Sequence, residues 1–422
     1  MIKKIKLGFV GLTHLGLNYL AASAQKNFSV TGVDINSKKI IKLNKNIIEY
    51  EEPNLKKVIL RNNKNITFSN DFKNLKKCNL VFISQDVKTS TSGKSDLKNL
   101  GILINKTIKH LNKNAILVVL SQMKPGFMRS INIDHKKLYH QVETLIFGKA
   151  FNRALYPERI IVGCKSKFNE INPTYLRYLK SFKCPILKME YESAEIAKIS
   201  INLLLASSVT TTNILSELCE KMSADWNDIV PALKLDKRIG KFAYIKPGLG
   251  ISGGNIERDI VTVKSLLRKK SPPDLLLKNI LENSQYMKSW IGRILTKEII
   301  LDKKNKISIG IVGAAYKENT NSIKNSPIID LLNYLKNKKN ISIYEPMLNL
   351  KLKNKNIQQV KDLKKLINKN KILIFMRPWV NRKEIKNTYK NLNNKLIIDP
   401  YRVINFKNQK NRSNKYFTLG TN

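Results

Sequence analysis

The chain is short of acids. Asp+Glu number 31 against Lys+Arg 77, a formal net charge of +46 over 422 residues. Cysteine and histidine are also scarce, at four each. The cysteines, at 78, 164, 184 and 219, show no CxxC or other metal-ligand spacing, and no histidine cluster accompanies them. No metal site is therefore expected, and the natural reading is free thiols in a reducing cytoplasm. No run of 18 apolar residues occurs, so membrane insertion is not expected.

Arginine is scarce too, at 13 of the 77 basic residues, while lysine, asparagine and isoleucine are abundant. That surplus is what an AT-rich genome writes at tolerant surface positions. A charge of +46 would suit phosphate neutralisation on nucleic acid or an anionic membrane. The lysines, however, are spread along the chain, and no aromatic residues interleave a basic stripe. Solvated faces are the plainer reading, and a nucleic-acid partner is not expected. A bias toward anionic small molecules survives either way.

What remains is ordinary for globular protein, with 42% hydrophobic residues and enough length for two or three cores. The opening "MIKKIKLGFVGLTHLGLNYLAASA" has a basic start and an apolar stretch, as a signal peptide does. Thr13, His14 and Asn18 interrupt that stretch, and a strand reading also explains the "VTGVDI" that follows. "KIKLGFVGL" reads as a strand entering a glycine turn, "LGLNYLAASAQK" as a helix, and "FSVTGVDI" as a strand ending in an acid. "NLVFIS" and "AILVVLS" continue the alternation, which argues a doubly wound parallel sheet. One long helix is expected over 192–222, with more helix to about 300. After the polar "DKKNKI" the strand, glycine turn, helix and strand recur from "ISIGIVGAAYKENT" to "ISIYEP". The fold class is α/β, with two Rossmann-like doubly wound domains joined by a long central helix. The expected domains are 1–191, 192–300 and 301–422.

Gly11, Thr13 and Gly16 occupy the three slots of G-x-G-x-x-G. The first makes the tight turn, the second admits a pyrophosphate, and the third lets helix pack on strand. Thr13 puts a Cβ at the closest approach, and its hydroxyl is a candidate phosphate donor. Asp34 ends the second strand, where an acid accepts from the ribose of NAD and repels the extra phosphate of NADP. A purely structural turn is the alternative.

Many pieces in order resemble the UDP-glucose/GDP-mannose dehydrogenase family: "GLTHLGL" with "GVDI", "YEEPNL", "SGKSDL", "LSQMKPG", "FGKAFNRALYPERIIVG", "AEIAKISIN", "DKRIG", "PGLGISGGNIERD", "GAAYKENTNSIKNSP", "YEP" and "NKYFTLG". The resemblance implies an N-terminal NAD domain that includes Ser121, a central dimerising helix, and a C-terminal domain for a nucleotide sugar. It implies oxidation of the sugar's primary alcohol to a carboxylate in two hydride steps, and a place in polysaccharide biosynthesis. It makes Lys198, Asn202, Asp259 and Glu143 catalytic candidates. Gly250, Gly253, Arg258, Arg238, Lys317 and Lys324 become substrate-binding candidates, Arg238 through a phosphate or across the dimer. Lys198 and Asn202, four apart, share one helix face.

The departure lies in "GISGGNIERD", where Asn255 falls on the family's nucleophilic Cys. A thiolate adds to the aldehyde made by the first step and gives a hemithioacetal for the second. An amide does not. The leading expectation is an NAD-dependent oxidoreductase of a nucleotide sugar limited to one two-electron step, with an aldehyde or ketone product. The alternatives are a catalytically inactive homologue that holds NAD or the nucleotide sugar, and a basic nucleic-acid-binding protein on an old enzyme scaffold.

Overall fold

In the segment Leu80–Ile83, Leu80 and Phe82 join one apolar cluster with Leu7, Phe9 and Val118, while Val81 and Ile83 join another with Val10, Leu117 and Val119. A strand buried on both faces belongs to a parallel sheet covered by helices on both sides. The computed structural model describes residues 5–87, 90, 95–299, 307–315, 323, 325–338, 340–346, 348–350, 352, 354–377, 392–404 and 413–421. It divides into two compact units, Met1–Ile201 and Asn202–Asn422.

The first unit holds eight strands: β1 (Lys6–Val10), β2 (Ser29–Val33), β3 (Ile66–Ser69), β4 (Leu80–Ile83), β5 (Ile116–Val119), β6 (Leu138–Gln141), β7 (Ile160–Cys164) and β8 (Ile186–Glu190). Their order is β3-β2-β1-β4-β5-β6-β7-β8. Every pair is parallel except β6 with β7. The order reverses between β1 and β4, where an open α/β sheet leaves a crevice at its strand ends. The helices are α1 (His14–Gln25), α2 (Ser37–Asn44), α3 (Leu55–Arg61), α4 (Lys98–Ile108), α5 (Ala150–Leu155) and α6 (Pro173–Lys180). Every residue of α1 from His14 to Ala24 is buried, which its run of small and apolar side chains permits.

Helix α7 (Tyr191–Met222) runs through the division between the units. Its best window has a mean hydropathy of 1.2, enough to cross a membrane by length and composition alone. It reaches that value although polar residues interrupt it, and Glu195, Asn202, Thr212, Asn213 and Ser216 are buried along it. Polar groups buried against protein are what a core helix carries, and each is costly against lipid.

The second unit continues with α8 (Trp226–Leu235), α9 (Asn255–Leu266), α10 (Pro272–Lys288) and α11 (Trp290–Ile299). A small cluster of Ala206, Ile251, Ile260, Leu277 and Ile280 joins α7, the loop before α9, α9 itself and α10. Then come β9 (Ile309–Val312), α12 (Pro327–Tyr334), β10 (Ile341–Tyr344), β11 (Ile357–Val360), α13 (Leu363–Lys369), β12 (Ile372–Phe375), β13 (Leu396–Ile398) and β14 (Lys415–Phe417). The order β11-β10-β9-β12-β13-β14 is parallel throughout and repeats the pattern of the first sheet.

The repeat extends to single bonds. Gly11 has φ +90 and donates to Val33 O at 2.9 Å; Gly313 has φ +93 and donates to Tyr344 O at 2.9 Å. The acid after the second strand accepts from the turn in both cases. Asp34 takes Leu12 N–H at 2.9 Å, and Glu345 takes Ala314 N–H at 2.8 Å and Ala315 N–H at 3.0 Å.

Candidate active site

At the turn after β1 each glycine has a steric reason. A Cβ on Gly11 would lie 2.9 Å from the Gln85 backbone, and φ is positive there. A Cβ on Gly16 would lie 2.2 Å from Gly11 O, so only glycine lets α1 pack this close to the turn. The Thr13 hydroxyl donates to Ser84 O at 2.9 Å and accepts from Asp86 N–H at 3.1 Å. Its one proton is thus engaged within the protein. Ser121 donates to Gln85 O at 2.7 Å and ties the ends of β4 and β5 together. Asp34, buried, accepts from Leu12 N–H, Asn36 N–H at 2.9 Å and Lys39 Nζ at 2.8 Å. The turn left narrow by glycines and the acid after β2 fit a dinucleotide.

Glu143 follows β6. Its Oε1 stands 3.3 Å from Lys198 Nζ, and its Oε2 accepts from Leu145 N–H at 2.9 Å. The first unit therefore brings Glu143 and Lys198 together. Beside them Glu195, one turn before Lys198, accepts from Gly126 N–H at 2.7 Å and Met128 N–H at 2.9 Å and fastens the loop that follows Ser121. Burial raises the Glu195 pKa despite those bonds.

In the second unit Asn202 Nδ2 donates to Asp259 Oδ2 at 2.5 Å, and Arg258 Nε lies 3.3 Å from Asp259 Oδ1. All three residues are buried. The loop ahead of α9 owes its course to Gly250 at φ +73 and Gly253 at φ +78. Ile251 N–H donates to Ser284 Oγ at 2.8 Å, and a Cβ on Gly250 would meet Ser284 O at 2.3 Å, so the loop lies against α10. Asn255 is the first residue of α9 and is exposed, one turn ahead of Arg258 and Asp259.

None of the four cysteines lies in the loop before α9 or in α9 itself. Cys78 and Cys164 are packed in cores of the first unit, and Cys184 lies against one of them. Cys219 sits 13 residues beyond Ala206 on α7, roughly 20 Å along the axis from the cluster that holds Ile251. All four are free, and burial raises the pKa of every one, that of Cys78 to about 11. Arg238 is exposed and forks onto Asp236, with Nη2 to Oδ2 at 2.6 Å. Lys317 and Lys324 lie outside the described residues.

The sequence singled out neither Lys39, beside Asp34, nor the pair of His14 with Glu52 at 2.9 Å, nor the buried pair of Arg377 with Glu345 at 2.5 Å. Arg377 packs on Gly313, where a Cβ would meet its side chain at 2.6 Å. Arg377 and the His14–Glu52 pair join segments far apart in sequence, so no local spacing betrays them. Lys39, five residues after Asp34, was within reach of a local search.

Three family models match this chain, all of the UDP-glucose/GDP-mannose dehydrogenase family: the NAD binding domain over residues 5–177, the central domain over 192–285 and the UDP binding domain over 310–406. The chain belongs to the UDP-glucose/GDP-mannose dehydrogenase family. It is 26% identical to the UDP-glucose 6-dehydrogenase of Rickettsia typhi, with 99% of this chain and 100% of that protein covered. It is 28% identical to that of Campylobacter jejuni, with 83% and 90% covered. In fold it is similar to a UDP-glucose dehydrogenase from Pyrobaculum islandicum, at a TM-score of 0.85, 20% identity and coverage of 100% and 99%. The family is one of NAD-dependent dehydrogenases acting on the CH–OH group of a nucleotide sugar, and NAD is the cofactor that the first of the three domains receives.

Proposed function

We propose that this protein oxidises the alcohol of a UDP- or GDP-sugar by a single two-electron step and releases the carbonyl product. The observation that carries the reading is Asn255, exposed at the start of α9 behind two left-handed glycines, where the resemblance puts a nucleophilic thiol. Arg258 and Asp259, one turn on, fall on the Lys-Asp pair that accompanies it in the resemblance, with Arg in place of Lys.

Bound NAD supplies the hydride acceptor. Asp259, held by Asn202 and Arg258, orders a water or receives the alcohol proton. Lys198, poised by Glu143, stabilises the developing alkoxide. The balance of the step is RCH2OH and NAD+ to RCHO, NADH and H+. A second oxidation needs an adduct on the aldehyde, and the Asn255 amide forms none. The specific reading against catalysis is a homologue that only holds its ligands; the engaged Thr13 hydroxyl and Asn255 favour it.

The reading extends to assembly. Ile214, Leu218 and Met222 form an exposed stripe at i, i+4 and i+8 of α7, with Leu204 70% and Met222 70% exposed. A second copy of the chain covers this stripe in a homodimer. Arg238 then serves a substrate phosphate or the dimer contact. The protein works without membrane insertion and without a nucleic-acid partner. To test the reaction, UDP- and GDP-sugars are incubated with NAD and the products weighed by mass spectrometry. Loss of two hydrogens supports the single step, a uronate overturns it, and no product with any nucleotide sugar favours the binding-only reading.

A further inference from the structure

Lys288, at the end of α10, is buried, and its ammonium donates to Asn325 Oδ1. The other end of the same amide donates from Nδ2 to Glu257 Oε2 at 2.7 Å, in the first turn of α9, and to Ile251 O at 3.4 Å, in the loop ahead of it. A cation on one end and a carboxylate on the other fix which way the amide points and strengthen both bonds. Asn325 has φ +54, a left-handed backbone that asparagine and aspartate adopt more readily than larger side chains. Its neighbour Ser326 caps α12 and donates to Ala314 O at 2.8 Å, in the turn after β9. Two consecutive residues thus tie the glycine turn of the C-terminal sheet to α10 and to the loop before α9.

We propose that Asn325 is a positioning residue for the nucleotide sugar: with its amide fixed by Lys288 and received by Glu257, it passes the binding of a nucleoside diphosphate at the C-terminal sheet on to residues 252–257, the stretch that carries Asn255. The inference rests on the reading that the C-terminal domain takes the nucleotide of the substrate, and it is independent of how many oxidation steps follow.

The bonds are placed for this. Ile251 O and Glu257, which both accept from Asn325, lie on either side of Asn255. The earlier part of the loop has its own supports: Gly248 N–H donates to Asn213 Oδ1 at 2.9 Å, and Ile251 N–H donates to Ser284 Oγ. Beyond Ile251 the chain passes Gly253, at φ +78, and Gly254, the N-cap of α9, which has no side chain to bond the first amides of the helix. Glycines leave such a backbone free to rearrange unless something outside the stretch holds it. Asn325 does so, and it follows directly on Lys324, a substrate-binding candidate by resemblance. A buried ammonium needs its acceptor, so Lys288 keeps the amide in place whether or not a ligand is bound.

The test uses the whole protein, with UDP and, separately, GDP as the only ligand. Calorimetry selects the nucleotide that binds, and hydrogen exchange is followed with and without it. In the wild type the ligand should slow exchange of 252–257 and of 325–328 about fivefold or more. Asn325→Asp keeps the left-handed backbone and an acceptor for Lys288 but turns a carboxylate on Glu257. The ligand should then still slow 325–328 but no longer 252–257, and its Kd should weaken roughly three- to tenfold. Adding Glu257→Gln to Asn325→Asp exchanges donor and acceptor and should restore both readings. A role confined to the backbone turn at 325 would leave the double variant like the single one. No ligand effect on 252–257 in the wild type, an equal effect in Asn325→Asp, or no recovery in the double variant overturns the proposal. Binding of neither nucleotide contradicts the assignment of the C-terminal domain and removes the proposal with it.

Discussion

Asp34 already has a cation on it, Lys39 Nζ at 2.8 Å, in addition to two backbone donors. Its charge still disfavours a 2′-phosphate, so NAD should bind more tightly than NADP. Asp34→Ala should narrow that preference about tenfold, roughly 1.4 kcal/mol, partly because Lys39 is released toward the phosphate. Asp34→Ala combined with Lys39→Ala should lose that part of the gain. Calorimetric Kd values check this, and a wild type that prefers NADP contradicts it. The same turn shows what could be read at the level of single residues. Gly11, Gly16 and Asp34 stand at spacings imposed by backbone geometry, so their types announce themselves. His14, Glu52 and Arg377 matter through tertiary pairing, and nothing beside them in the sequence records it. The Thr13 hydroxyl lay in between, since its partner Ser84 is 71 residues away.

At the scale of elements the loop before α9 depends on Gly250. A side chain there meets both a left-handed φ and Ser284 O, so Gly250→Ala should destabilise by about 2 kcal/mol or more. Gly101, inside α4 with no atom near a Cβ, is the control. Gly101→Ala should stabilise by about 0.5–1 kcal/mol. Urea midpoints at constant m distinguish the two. Strand β6 gives a pH prediction. His140 donates from Nδ1 to Val119 O at 2.9 Å, yet burial lowers its pKa to about 4. The unfolded chain takes a proton at the ordinary histidine pKa while the native ring does not. Stability from this source is complete above about pH 6.5 and is lost as pH falls toward 4, by about 3 kcal/mol. His140→Asn should shrink the difference between urea midpoints at pH 7.5 and pH 4.5; an unchanged difference contradicts the assignment. Strands β1, β4, β5, β9 and β10 were legible because burial on both faces writes a nearly unbroken apolar run, and β2, SVTGV and partly exposed, because it closes on Asp34 after the glycine turn and helix. β6 was not, since "YHQ" carries polar groups satisfied inside the protein, and β3 and β8 are only half buried.

For the whole molecule, the stripe on α7 predicts a dimer. Light scattering at micromolar concentration should give about twice the 48.4 kDa chain mass, and Leu218→Lys should shift the mass toward one chain. A monomeric wild type removes the assembly from the account. The overall architecture was legible because the strand, turn and helix logic occurs twice, and the two sheets share one strand order. The site was legible only as residues on a line. That Lys198 meets Glu143 and that Asp259 meets Asn202 required the fold.

The most direct test of the central claim is the number of NADH formed per nucleotide sugar consumed, for wild type and Asn255→Cys. The wild type should give about one. The variant should move toward two, because a thiol at the start of α9 can add to the aldehyde and carry the second oxidation to a thioester that water releases as the acid. Two NADH and a uronate from the wild type would contradict the account, because another group would then perform the step that Asn255 is held to prevent.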